Sequence, residues 1–374
     1  MSDLVSGKAK VEDLVKVALK EAMEKRKLDK EPVMTPMEYM EVTEEVVTSV
    51  KTHKDKMLLE GQKWFSDVIG NKTIELKDEF AISSFHGYAW DESISSFIPT
   101  IDHGYVIDQE LARNILIAWE LNEKVLCYGP TGAGKSSLVE QLCARTGRPF
   151  IRVNCTGDMD SSMIFGQLTA KEGSTIWVDG AVTEAVKHGA VFAWDEWDVT
   201  PPEISMGLQW LLEDEGKLFL KDMPGTAKSK MIVPHQHFRL VAIGNTQGQG
   251  DDTGSHAGTN VQNTATLDRF GTAVFVDYLS PSIEENMLKN KWGSTISPKA
   301  AKELVKLANL IRQGYKAGQF NLTMSPRTLL NICKKLSMGV SLKKAFSLVY
   351  LNKLGEVQRK VADELFMKIY GTTP

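Results

Sequence analysis

Apolar positions along the chain repeat with two different periods, and the change from one to the other divides it. Val11, Leu14, Val15, Ala18, Leu19 and Ala22 fall at helical spacing. Glu12 and Asp13 lie early in this stretch and Lys25, Arg26 and Lys27 late, the order a helix dipole favours. Residues 27–36 read as a charged linker with Pro32 and Pro36, and mixed-charge helical text runs over 37–68. After an aromatic, Ser-rich stretch (82–90) and an extended approach (97–105), a helix is predicted over 109–121. Asp108 is expected to cap it, and Leu111, Ile115, Leu116 and Trp119 form its apolar face. Short strands then follow at 125–127, 150–154, 191–194, 239–244 and 273–276, most of them largely apolar runs. Runs of this kind, separated by helical text, predict buried strands of a parallel sheet with helices on both faces, an α/β fold.

Two stretches interrupt the α/β rhythm. Residues 156–180 are punctuated by glycine, with a hairpin expected at Lys171-Glu172-Gly173. Residues 216–233 read as two short strands around a basic tip carrying Lys221, Lys228 and Lys230. A Gly- and Asp-rich loop is expected over 247–258. From Ser280 onward the text is helical, with apolar periodicity over 300–311, 328–336 and 342–366, and Ser325 is expected to cap the middle helix.

Composition narrows the class. Of 374 residues 42% are hydrophobic and 25% charged, which describes an ordinary globular protein of two or three domains. The net charge of −4 gives no general pull toward nucleic acid or acidic membranes. Cys127, Cys143, Cys155 and Cys333 form no C-x-x-C pair, so buried thiols in a reducing compartment are expected. No apolar run approaches the ~20 residues of a membrane span, and Met1-Ser2-Asp3-Leu4 begins no signal peptide. A cytoplasmic location follows as an expectation.

The chemistry begins at Gly129-Pro130-Thr131-Gly132-Ala133-Gly134-Lys135-Ser136, which fits G-x-x-x-x-G-K-[ST] between a strand and a helix. Glycines let consecutive N–H groups face phosphates, and the helix N-terminus, where Ser137 follows, adds positive potential. Lys135 is expected to reach the β- and γ-phosphates of ATP, and Ser136 to ligate Mg²⁺. About fifty-five residues later, Val191-Phe192-Ala193-Trp194 ends in Asp195-Glu196. Asp195 is expected in the Mg²⁺ shell and Glu196 as the base for the attacking water. Asn245 ends the next strand, where ligands of open α/β sheets gather, and its amide could position water or the γ-phosphate. Arg269 is open to two readings, a structural ion-pair partner or a charge offered to another subunit's nucleotide. Arg327 stands near a helix N-terminus, and His235 and His237 read as structural.

In this order the residues resemble the AAA+ ATPases of the MoxR group, and most closely the family of the cobaltochelatase subunit CobS. The resemblance covers about residues 97–340. Its closer matches are Asp195-Glu196-Trp197-Asp198, the stretch from Pro234-His235 to Phe238-Arg239-Leu240, and Gly250-Asp251-Asp252-Thr253-Gly254 with Gly258-Thr259 and Asp268-Arg269. It implies an AAA+ phosphate-loop core over 92–279, a helical lid over 280–374 and a helical N-terminal region over 1–91. It also implies that 156–180 is the helix-two insert and 216–233 the pre-sensor hairpin. Asn245 becomes the first sensor, Arg269 the finger and Arg327 the second sensor. A homo-oligomeric ring, usually hexameric, is implied, with nucleotide at subunit interfaces and a protein client or adaptor. The expected function is an ATP hydrolase that remodels a protein partner, possibly a cobaltochelatase-like complex. The alternative is a nucleic-acid motor, disfavoured by the acidic charge and kept open by the basic hairpin tip.

Overall fold

A computed structural model describes residues 19–21, 58–71, 79–248, 250 and 258–371. The helix expected over 11–22 is described only at 19–21, where the chain is helical. The linker at 27–36, most of the stretch at 37–68 and most of the loop at 247–258 lie outside the described residues. The chain divides into two compact units, Met1–Tyr88 and Ala89–Pro374. In the first, strand β1 (Gln62–Trp64) runs into helix α1 (Phe65–Ile69) and pairs antiparallel with β2 (Ala81–Ser83). The helical reading through Val68 therefore fails at Gln62–Trp64. Gly61, at φ +79°, turns the chain into the strand, and Phe65 stacks on Phe80 at 5.0 Å.

The second unit is built on a parallel sheet. Helix α2 (Gln109–Glu120) is capped by Asp108, which accepts from the Leu111 N–H at 3.1 Å. Then come β3 (Val125–Tyr128), α3 (Lys135–Thr146) and β4 (Phe150–Asn154). The antiparallel hairpin β5 (Gly166–Lys171) and β6 (Ser174–Asp179) follows and turns at Glu172-Gly173. It leads to α4 (Ala181–His188), β7 (Val191–Asp195) and α5 (Pro202–Gln209). A small hairpin, β8 (Leu218–Phe219) with β9 (Met231–Ile232), precedes β10 (Arg239–Gly244) and β11 (Thr272–Phe275).

The sheet order is β11-β3-β10-β7-β4, every pairing parallel. Burial follows that order. All residues of β7 and β10, inside the sheet, are buried, which is why both read as unbroken apolar runs. Edge strand β4 instead alternates, and carries Arg152 on an exposed position. Burying each large apolar side chain here contributes about 1.5–3 kcal/mol, and Phe192, Trp194 and Trp197 are among the fully buried ones.

Beyond β11 the lid consists of α6 (Pro281–Trp292), α7 (Pro298–Lys316), α8 (Pro326–Leu336), α9 (Leu342–Val349) and α10 (Glu356–Tyr370). The single helical run expected over 342–366 is broken. A 3-10 turn at Leu351–Lys353 and extended Leu354 and Gly355 separate α9 from α10. The break lets Phe346 stack on Phe366 at 5.1 Å inside the lid's own core. Among the described residues no helix is long and apolar enough to cross a membrane.

Candidate functional site

The loop Gly129 to Ser136 joins β3 to α3 at the C-terminal edge of the sheet. Two of its glycines are fixed by close approach. A Cβ on Gly129 (φ +148°) would lie 2.2 Å from the Val276 carbonyl oxygen, and one on Gly132 (φ +75°) would lie 2.5 Å from Ser325 Cβ. The second contact explains a difference from expectation. Ser325 occupies the N-cap position of α8, yet its side chain makes no capping hydrogen bond and instead packs against the loop.

Lys135, the first residue of α3, is folded back and buried. Its ammonium donates to Gly129 O at 2.8 Å, Pro130 O at 3.0 Å and Asn245 Oδ1 at 3.0 Å. Burial pulls its pKa down, against the neighbouring carboxylates of Glu196, Asp195 and Asp198. Ser136 Oγ donates to Asp195 Oδ2 at 2.9 Å. The same Asp195 oxygen receives Nη2 of Arg152, from neighbouring strand β4. Thr131, Ala133 and Ser137 complete the loop and the first turn of α3, with Thr131 Oγ1 3.4 Å from Asn245 Oδ1.

Glu196 follows β7 in the left-handed region at φ 53°, which is rare for a residue with a side chain. Such strain costs on the order of 1–3 kcal/mol and clusters at functional sites. Its Oε2 accepts from Asn245 Nδ2 at 2.8 Å. Burial, with Asp195 and Asp198 alongside, raises its pKa above the ordinary carboxylate value, while Lys135 and Arg152 oppose the shift. Asn245 is itself held from behind. Asp198 Oδ2 accepts from the Asn245 N–H at 3.0 Å, the Thr246 N–H at 2.8 Å and Thr246 Oγ1 at 2.8 Å. Lys135, Asn245, Glu196, Ser136 and Asp195 thus form one hydrogen-bonded group drawn from the start of α3 and the C-terminal ends of β7 and β10.

The remaining two candidates stand apart from that group. Arg269 donates to Glu213 Oε1 (3.1 Å from Nη2) and to Ala265 O (2.6 Å) of its own chain. It lines an open cleft of about 960 Å³ with Glu123, Lys124, Asp214 and Asp268. Arg327 is exposed on the first turn of α8. His235 and His237 pack edge to face at 5.1 Å, with Trp90 against His237.

A tie runs from lid to loop. The Tyr278 hydroxyl donates to Thr131 O at 2.9 Å and lies 3.2 Å from Thr323 Oγ1. The Arg312 guanidinium sits 4.2 Å over the Tyr278 ring and forms a buried two-pronged pair with Glu284 (2.8 and 2.6 Å). Arg312 Nε also donates to Met324 O at 2.8 Å.

Residues 124–270 match the AAA domain of the dynein-related subfamily. Over these residues the chain is similar to AAA+ ATPases. The chain is 29% identical over 306 residues to the aerobic cobaltochelatase subunit CobS of a Sinorhizobium species, a match spanning 80% of this chain and 91% of CobS. It is 28% identical over 261 residues to an uncharacterized protein of Staphylococcus aureus, across 68% of this chain and 93% of that protein. Among solved structures, a RuvB mutant from Thermotoga maritima aligns over 72% of this chain and 80% of its own, at 17% identity and a TM-score of 0.44.

Three residues that contact this site group or the phosphate loop beside it escape a reading by pattern. Asp198 stands out only as the last residue of Asp195-Glu196-Trp197-Asp198, and its distance of three residues from Asp195 does not reveal that it anchors Asn245. Arg152 looks like a solvent-facing residue of an edge strand. Tyr278 falls between strand and lid, where no periodicity operates.

Proposed function

We propose that this protein assembles as a homo-oligomeric ring, binds Mg·ATP on the phosphate loop, and couples hydrolysis to the remodelling of a protein partner. The observation that carries the reading is the continuous Lys135–Asn245–Glu196 network beside the Ser136–Asp195 hydrogen bond. Each member has the chemistry that phosphoryl transfer to water needs.

Lys135 exchanges its three acceptors for phosphate oxygens, helped by the backbone N–H groups at the start of α3. Mg²⁺ takes hard oxygen donors and is held by few protein ligands. The Ser136 hydroxyl and the Asp195 carboxylate are such donors and converge within 2.9 Å, so the residues fit the ion. When bound, it supplies charge that stabilises the transferring phosphoryl group. Glu196 accepts the proton of the attacking water, and its raised pKa brings it closer to the range of an effective base. Asn245 fixes the Glu196 carboxylate with one end of its amide and reads Lys135 with the other. Arg269 serves the nucleotide of a neighbouring subunit, and Arg327 contributes from the lid. The likeness to CobS over most of both chains supports a partner of the chelatase type.

The test uses Glu196→Gln, which retains shape and loses the proton acceptor. In ATP it is expected to sediment as a ring, retain unhydrolysed nucleotide and capture a partner that ADP releases. A wild-type protein that stays monomeric at full turnover ends the ring reading, and a Gln form that hydrolyses normally ends the assignment of the base.

A further inference from the structure

Arg152 lies two residues before the end of β4, and β4 pairs in parallel with β7 so that Asn154 is opposite Asp195. From there its guanidinium reaches along the sheet edge to Asp195. The contact is to Oδ2, the same oxygen that accepts from Ser136 Oγ. Oδ1 of Asp195 accepts from the Glu196 N–H at 3.1 Å. Both carboxylate oxygens are therefore engaged, and the one shared with the phosphate-loop serine is occupied by a cation of the protein's own.

The charge balance shows why a cation is held there. Asp195 and Asp198 are buried, and Glu196 stands between them in sequence. Lys135 is directed to Asn245 and the loop carbonyls, not to a carboxylate. Arg152 makes the direct ion pair with this acidic group, and its side chain is 45% exposed while Asp195 is 5% exposed. A long side chain on an edge strand can leave for water without disturbing the core. A buried carboxylate cannot.

We propose that Arg152 is a resident counter-cation of Asp195 that exchanges with Mg²⁺ when the metal enters with nucleotide. Guanidinium and metal compete for Asp195 Oδ2, and their like charges oppose joint occupancy. Arg152 is thus a positioning residue. It neutralises and orients the carboxylate until the metal takes over, and sets how much Mg²⁺ is needed to displace it. The inference rests on the proposed role of Asp195 in the metal shell.

The test is a Mg²⁺ titration of fluorescent ATP-analogue binding to the full chain, read by anisotropy at fixed ionic strength and repeated with Mn²⁺. Arg152→Gln is expected to lower the half-saturating Mg²⁺ by about 2- to 5-fold, the scale of a partly exposed ion pair. Arg152→Lys, which keeps a point charge without the planar fork, is expected to fall between. Thermal melting without divalent ions should drop for Arg152→Gln, and added Mg²⁺ should raise it by more than in the wild type. Asp195→Ala separates the two layers of argument. If it leaves the Mg²⁺ dependence untouched, the reading of Asp195 as a metal-shell residue fails. If Asp195→Ala abolishes that dependence while Arg152→Gln leaves the midpoint unchanged or raises it, the exchange is overturned and the metal reading stands.

Discussion

The Asn245 carboxamide nitrogen donates to Glu196 Oε2 at 2.8 Å. A carboxylate in a strained left-handed residue is thereby pinned by an amide whose oxygen already accepts from Lys135. The residue proposed to attack through water and the residue proposed to grip phosphate are one hydrogen-bond relay apart.

Glu196→Gln should bind Mg·ATP and hydrolyse it at least ~10²-fold more slowly, the loss expected for a general base. Asn245→Ala should slow the same step, and the double variant should be little worse than Glu196→Gln alone, because the two act as a unit. Rapid-quench single turnovers check this. The sign of the pH effect follows from burial. Glu196 works deprotonated and its pKa is raised, so the rate should fall as pH drops through a value above the ordinary carboxylate range. Asn245→Ala should displace that acid limb.

Lys135→Ala should weaken ATP binding by at least ~10-fold, a loss of about 1.4 kcal/mol. The loop holds no second cation that could stand in. Calorimetric titration measures the change, and an unaltered affinity removes the phosphate-loop assignment.

Arg269→Ala should leave ATP affinity near wild type and cut hydrolysis by a factor toward the 10³–10⁵ or so that an arginine supplied in trans is worth. Arg269 pairs with Glu213 at half-exposed positions, which contributes at most about 1 kcal/mol to its own fold. Melting should therefore move little. Rings mixed from Arg269→Ala and Lys135→Ala subunits should regain part of the activity, since some interfaces join an intact loop to an intact arginine. No recovery on mixing, together with a large loss of melting temperature, assigns Arg269 to stability alone.

Glu284→Ala leaves Arg312 charged and buried, and should destabilise the protein by about 3–5 kcal/mol. The pair replaced together by Leu and Met should recover most of the melting temperature. Nucleotide affinity should not recover with it, because Arg312 also supports Tyr278, which holds the Thr131 carbonyl.

Legibility in the sequence followed physical rules that act locally. Strands β7 and β10 are buried on both faces, and an unbroken apolar run betrays that without knowledge of neighbours. Lys135 and Ser136 after β3, and Asp195 and Glu196 at the end of β7, stand out because the proposed phosphate and metal chemistry ties residue type to spacing within each strand–loop unit. Asn245 is legible as a strand end, though nothing in its surroundings foretells that it meets Glu196 across forty-nine residues of chain. Arg152 and Tyr278 were opaque because parallel register and lid docking bring them in, and neither leaves a periodic mark. The helical reading through Val68 overlooked the strand at Gln62–Trp64, where the pairing residues Ala81–Ser83 lie well downstream.

Gly132 and Ser325 leave no spare room between phosphate loop and lid, and the Tyr278–Thr131 bond spans the same seam. A wedge and a tether acting at one seam make a stiff coupling. Pushing the loop toward α8 is resisted by contact, and pulling it away is resisted by the hydrogen bond. Small displacements at Thr131 and Gly132 would then pass to the lid, and a lid that moved as one piece would turn about its junction with β11. Displacement in such a rotation grows with distance from that junction, so the part of the lid farthest from it would sweep the longest arc.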